Sequence, residues 1–159
     1  MRRLSGMVLA GAMLMLPVFS LTGHAQEAAA AAQPAKPAAQ TYSADSVIVM
    51  YAINPGKEAD YEKVIATLRA ALAKSTAPEA KQQLASWRVV KSEKPLTPDG
   101  TTYIHIISPV VKGADYSISN IVYAVSTDDE KRAFYELYKG ALKGALSQIN
   151  AVDVAAAAQ

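Results

Sequence analysis

The residues best equipped for chemistry gather on two short apolar segments around Trp87 and His105. Tyr103-Ile104-His105-Ile106-Ile107 reads as a strand. Alternation puts Tyr103, His105 and Ile107 on one face, with Thr102, Ile104 and Ile106 on the other. On the preceding strand, Trp87 and Val89 point opposite to Arg88 and Val90. If Tyr103 and His105 line an interior, they can gather there with Tyr51 and with Trp87 or Arg88. His105 could then shuttle protons near neutral pH or ligate a metal or haem axially. The competing reading is a single hydrogen-bonded structural histidine on a half-buried strand. Arg88 suits an anionic ligand or a partner carboxylate, or is simply a surface arginine. His105 and Arg88 are thus the candidate catalytic pair, and Tyr51, Trp87, Tyr103 and Tyr116 the candidate ligand-binding residues.

The chain has eight tyrosines against two phenylalanines. Buried tyrosines seek hydrogen-bond partners, so this bias fits a polar-lined apolar cavity, or else an interface, where tyrosine is enriched. Tyr116, Tyr123 and Tyr138 could each aim a hydroxyl at a pocket mouth. Asp115, just before Tyr116, reads most simply as a helix cap. Asp128, Asp129 and Glu130 have the spacing of helix capping rather than of a metal cluster.

Composition removes many alternatives. The sequence has no cysteine, which excludes disulfides, thiolate metal sites, iron–sulfur clusters, cysteine nucleophiles and a lipidated cysteine. It has only two histidines, His24 and His105, so a multi-histidine zinc site is out. No cofactor and no metal are expected. With 16 basic and 14 acidic side chains, the charge leaves no footprint for nucleic acid. The sequence lacks a Gly-x-Gly-x-x-Gly loop, a Walker-type loop, a Gly-x-Ser-x-Gly elbow and a His-Glu-x-x-His pair.

The N-terminus reads as an address. Arg2 and Arg3, an apolar run from Met7 to Leu21 and the small residues of Gly23-His24-Ala25 form the layout of a cleavable signal over 1–25. The run is broken by Gly11 and Pro17 and is short for a membrane span. Cleavage after Ala25 would remove Arg2, Arg3 and His24. That would leave 14 basic against 14 acidic residues, and His105 as the only imidazole. The expected location is periplasmic or secreted, with no membrane span after cleavage. Residues 26–41, rich in alanine, proline and glutamine, read as a flexible spacer. Residues 155–159 read as a disordered tail. The folded part is then a single domain over 42–154, long enough for one core.

These candidates need a scaffold, and the order of elements supplies one. Ser46 to Ile53 is a β-branched run without strict alternation, as suits a strand covered on both faces. Asn54-Pro55-Gly56 stops it. Tyr61, Val64, Ile65, Leu68 and Leu72 recur at helical spacing, and a short helical turn restarts near Pro78 and runs to Leu84. Ala85–Lys91 and Thr101–Val110 form a hairpin whose loop carries Pro98-Asp99-Gly100. Ile118, Ile121, Val122 and Val125 mark a further helix. Thr127 to Glu130 is a capping box opening a helix with Phe134, Leu137, Tyr138, Leu142, Ala145, Leu146 and Ile149 on one stripe. Gly140 and Gly144 weaken that helix by about 1 kcal/mol each; they either admit a close neighbour or are simply tolerated. Ala151 to Val154 is the candidate last strand. The order is β-α-β-β-α-β with the second helical region split in two. It predicts an α+β, ferredoxin-like sandwich with an antiparallel sheet.

A strand ending in Asn54-Pro55-Gly56-Lys57-Glu58, followed by Tyr61-Glu62 on a helix, resembles the opening of dimeric α+β barrel proteins. Antibiotic-biosynthesis monooxygenase-like and NIPSNAP-like domains, which this opening resembles, start in this way. Trp87-Arg88-Val89 and Tyr103-Ile104-His105-Ile106 fall where that superfamily has its second and third strands, so the resemblance spans about Val47 to Val111. From Gly113 the chain departs from the pattern, with two helices where one is usual. The resemblance implies a homodimer whose two sheets close around a shared interior. Strands apolar on both sides point the same way, because a sheet with one wet face should alternate more cleanly. Two functions follow as expectations. One is an exported homodimeric module that binds a small apolar or aromatic molecule, or a protein partner. The alternative is a cofactor-independent monooxygenase or isomerase acting on a phenolic or polyketide-like substrate. Convergence of His105 and Arg88 with a tyrosine hydroxyl on one cavity would favour the alternative.

Overall fold

The computed structural model describes residues 36–98 and 100–154. The expected signal (1–25), the spacer up to residue 35, Asp99 of the hairpin turn and the tail 155–159 lie outside the described residues.

The apolar run forms β1 (Ser46–Ile53), and the Asn54-Pro55-Gly56 turn closes it with Gly56 at a positive φ of 74°. Helix α1 (Glu58–Lys74) starts with Glu58 and Asp60 in its first turn, favourable for the helix dipole. It buries Tyr61, Val64, Leu68, Ala71 and Leu72. This is the stripe that 3.6-residue periodicity requires. A shorter helix α2 (Ala80–Ser86) runs directly into β2 (Trp87–Lys91), and β3 (Thr101–Ile107) returns beside it. Then come α3 (Ile118–Tyr123), α4 (Asp128–Ala141) and β4 (Leu142–Ala151). The strands lie in the order β2-β3-β1-β4, with every neighbouring pair antiparallel. Four strands and four helices in this order make an α+β, ferredoxin-like sandwich.

The expected capping box is present, with Thr127 accepting from the Glu130 amide and Glu130 from the Thr127 amide. Three local expectations are corrected. The helix that this box opens ends at Ala141, and its C-terminal apolar stripe belongs to β4, which begins nine residues before the expected last strand. Asn54 stops the helix: its backbone N–H donates to the Ala141 carbonyl at 2.9 Å and its Nδ2 to the Gly140 carbonyl at 3.0 Å. Those carbonyls are the ones the next helical turn would have used. The three-to-four spacing of Leu142, Ala145, Leu146 and Ile149 mimicked a helix because β4 carries two register shifts against β1, at Met50/Tyr51 and Ala52/Ile53. Each inserts an extra residue and breaks the period of two. A Cβ added at Gly140 or Gly144 would meet nothing within 4 Å, so these glycines serve no close approach.

The second correction concerns α3, whose cap is Ser117, its side chain accepting from the Asn120 amide. Asp115 stands two residues earlier and accepts from the Ser117 amide and from the Asn120 side chain. The third concerns the expected spacer, which is anchored over its last residues. Asn120 Nδ2 donates to the Pro37 carbonyl at 3.0 Å, Gln40 N to Asp115 Oδ1 at 2.9 Å, and Tyr116 N to the Gln40 carbonyl at 2.7 Å.

Register assigns the two faces of the sheet. Val47, Val49, Tyr51 and Ile53 pair with Ile107, His105, Tyr103 and Thr101; this face meets the helices and forms the core. Ile48 and Met50 pair with Ile106 and Ile104 on the opposite face, which no described helix covers. Only its Thr102 end is roofed, by the β2–β3 loop, where the Leu96 amide donates to Thr102 Oγ1. That loop returns through Gly100 at φ 138°, where a side chain would drive its Cβ into the Ile53 carbonyl. Gly100→Ala should therefore destabilise the domain by about 1–3 kcal/mol, read as a lowered urea midpoint at unchanged slope.

Candidate functional site

Helix α1 delivers Tyr61 to the middle of the sheet, because Tyr61 leads the stripe that continues through Val64, Leu68 and Leu72. Alternation on β3 puts His105 beneath it, and the pairing of Val89 with His105 brings Trp87, two residues along β2, onto the same face. The three side chains form one chain of hydrogen bonds. Trp87 Nε1 donates to His105 Nδ1 at 3.1 Å, and His105 Nε2 lies 2.8 Å from the Tyr61 hydroxyl. An indole N–H can only donate, so Nδ1 is an acceptor and the neutral ring carries its proton on Nε2, which donates to Tyr61 oxygen. His105 is 1% exposed and Tyr61 fully buried.

Other rings enclose this centre. Tyr51 stands edge-on to His105 at 5.0 Å, and Tyr103 edge-on to Tyr61 at 4.9 Å. Tyr138 of α4 lies 6.5 Å from Tyr61. The Tyr103 hydroxyl reaches outward and donates to Glu62 Oε1 at 2.7 Å. Burial holds the His105 pKa down from 6.5 to about 4, since an uncompensated imidazolium would be desolvated there. Burial raises the phenols of Tyr51, Tyr61 and Tyr138, and burial followed by the Glu62 hydrogen bond raises Tyr103.

The sequence candidates therefore separate. Tyr51, Trp87, Tyr103 and His105 share one face and touch, but that face is the packed core. Tyr116 packs on Trp87 with ring centroids 5.5 Å apart, and its hydroxyl accepts from the Val111 amide at 2.8 Å, so it ties the β3–α3 connection back on itself. Arg88 is exposed and pairs in register with Ile106, which puts it across the sheet from His105. Imidazole, guanidinium and tyrosine hydroxyl do not converge on one cavity. Neither nitrogen of His105 has a lone pair to offer a metal or haem, since one accepts from Trp87 and the other carries a proton. Sequence reasoning missed Tyr61 as the partner of His105, although its place at the head of the α1 stripe was the available signal.

The cavities lie elsewhere. A groove of about 480 Å³ between α1, α3 and α4 is walled by Ala70, Val122, Val125, Phe134 and Leu137, with Lys74 and Glu130 also lining it. A smaller pocket of about 180 Å³ lies where α2 and α3 meet, lined by Gln83 and Asn120 among others. Among the described residues no helix is long and apolar enough to cross a membrane. Comparisons with protein-family models, curated proteins and solved structures find no match to this chain.

Because the folded pKa of His105 is depressed, the unfolded chain binds the extra proton between pH 6.5 and about 4. Stability contributed by the neutral ring is therefore complete above pH 6.5 and is lost as pH falls toward 4, by about 3 kcal/mol in total. Urea midpoints measured from pH 7 to pH 4 should fall accordingly, and the fall should largely vanish in His105→Phe. Proton NMR should find the His105 ring neutral at pH 5.

Proposed function

We propose that this chain is an exported homodimeric binding module whose two sheets meet face to face. One observation carries the reading: the sheet face opposite the helices presents Ile48, Met50, Ile104 and Ile106 as a contiguous apolar surface, flanked by Val90 at 36% and Ile149 at 45% exposure. None of these six belongs to the buried core cluster. Leaving such a surface in water forgoes about 25 cal/mol for each Å² that a partner would cover. A second copy supplies a surface of the same shape and chemistry, as two-fold association requires.

The groove between α1, α3 and α4 is the receptor for a small apolar or aromatic molecule. Its walls are mainly aliphatic, with Phe134 as the ring available for stacking, and its volume is in the range of ligand sites. Oxygenase or isomerase chemistry needs a base open to substrate, whereas the nitrogens of His105 are both engaged inside the core; this is why binding is the preferred reading. Export rests on the sequence of residues 1–25 alone.

Native mass spectrometry of the gently purified chain tests the proposal. The expected result is a mass twice that of the chain, with any excess identifying a retained ligand. Ile104→Lys, which places a charge at the centre of the open face, should yield monomer with an unchanged circular-dichroism spectrum. A wild-type monomer at micromolar concentration would overturn the dimer.

A further inference from the structure

The small pocket between α2 and α3 is built differently from the apolar groove. Asn120, 6% exposed, and Gln83, 3% exposed, are two of its walls. Both Nδ2 hydrogens of Asn120 have acceptors, the Pro37 carbonyl at 3.0 Å and Asp115 Oδ2 at 2.8 Å. The amide orientation is thereby fixed, and a flip would set oxygen against oxygen at both places. Its Oδ1 is buried without a donor among the described residues. A buried acceptor left unsatisfied is costly, so an occupant that donates to it is favoured. Gln83 donates through Nε2 to the Asp115 carbonyl at 2.9 Å, which leaves Oε1 as the acceptor end of its amide.

The rest of the lining selects the occupant. Glu79 adds a carboxylate, and Leu72, Ala80 and Ile121 give an apolar floor. The Asp115 carboxylate accepts from Gln40, Ser117 and Asn120 and acts as a brace for these walls. Lys36 is the one cationic side chain among the lining residues, and it is exposed. We propose that this pocket is a binding site for a small organic cation with N–H donors on a short alkyl body. The ammonium donates to Asn120 Oδ1 and the Gln83 amide oxygen beside the Glu79 charge, while the alkyl group lies on the aliphatic floor. The site is separate from the sheet face and from the α1–α3–α4 groove, and it stands whether or not the chain dimerises.

The test is a ¹⁵N NMR titration of the full chain with n-butylammonium chloride, with n-butanol and sodium butyrate as shape-matched probes. Butylammonium should shift the Asn120 and Gln83 side-chain amide signals saturably, with an affinity of roughly 1 mM for so small a ligand. The two matched probes should leave these signals in place. Glu79→Gln, at a half-buried position, should weaken binding about 3-fold. Ala124→Leu, at an exposed wall position, should fill the space and abolish the shifts while the rest of the spectrum stays folded. Equal shifts with butanol would overturn the proposal, as would no shift with butylammonium or full binding by Ala124→Leu.

Discussion

The fold depends on one neutral imidazole. His105 joins the sheet to α1 through Tyr61 and joins β3 to the start of β2 through Trp87, both by hydrogen bonds inside a ring of aromatic side chains. A polar group at this depth is tolerated because both its nitrogens are satisfied, and satisfied networks specify one packing where an apolar core admits several. The same closure takes the residue away from chemistry. A base must offer a lone pair to a substrate, and this one has given its only free pair to an indole.

The elements carried by strong local signals were legible. The β-branched run made β1, the Tyr61–Leu72 stripe made α1, and Thr127 with Glu130 made the cap of α4. Alternation also correctly grouped Tyr103 with His105. What the sequence withheld were facts set by tertiary contact. The end of α4 is decided by Asn54, almost ninety residues away along the chain, and the bulges of β4 gave a strand the spacing of a helix. Alternation tells which residues share a face but not which face the helices cover, so His105 and Arg88 could be imagined together until the sheet came between them. Pro37 and Gln40 look like spacer by composition, and only Asn120, Asp115 and Tyr116 reveal that they are anchored.

A division of labour follows. The helix side of the sheet is filled by aromatic rings, and its polar atoms are turned inward on one another. The opposite side is aliphatic along β1 and β3, with Arg88 and Ser147 beside Ile106 and Met50. In the helical layer, grooves between α1, α3 and α4 and between α2 and α3 combine apolar walls with a few charged groups.

The two irregularities of β4 bear on how such a sheet stays orderly in a crowded compartment. A flat outer strand invites the next chain to continue its ladder, and repetition of that event builds fibres. Here the outer strand on one side is bent twice within ten residues, so its amides and carbonyls do not form the straight template that continuation needs. The outer strand on the other side is only five residues long and ends in Lys91. With both rims blunted, growth by strand addition is discouraged in either direction.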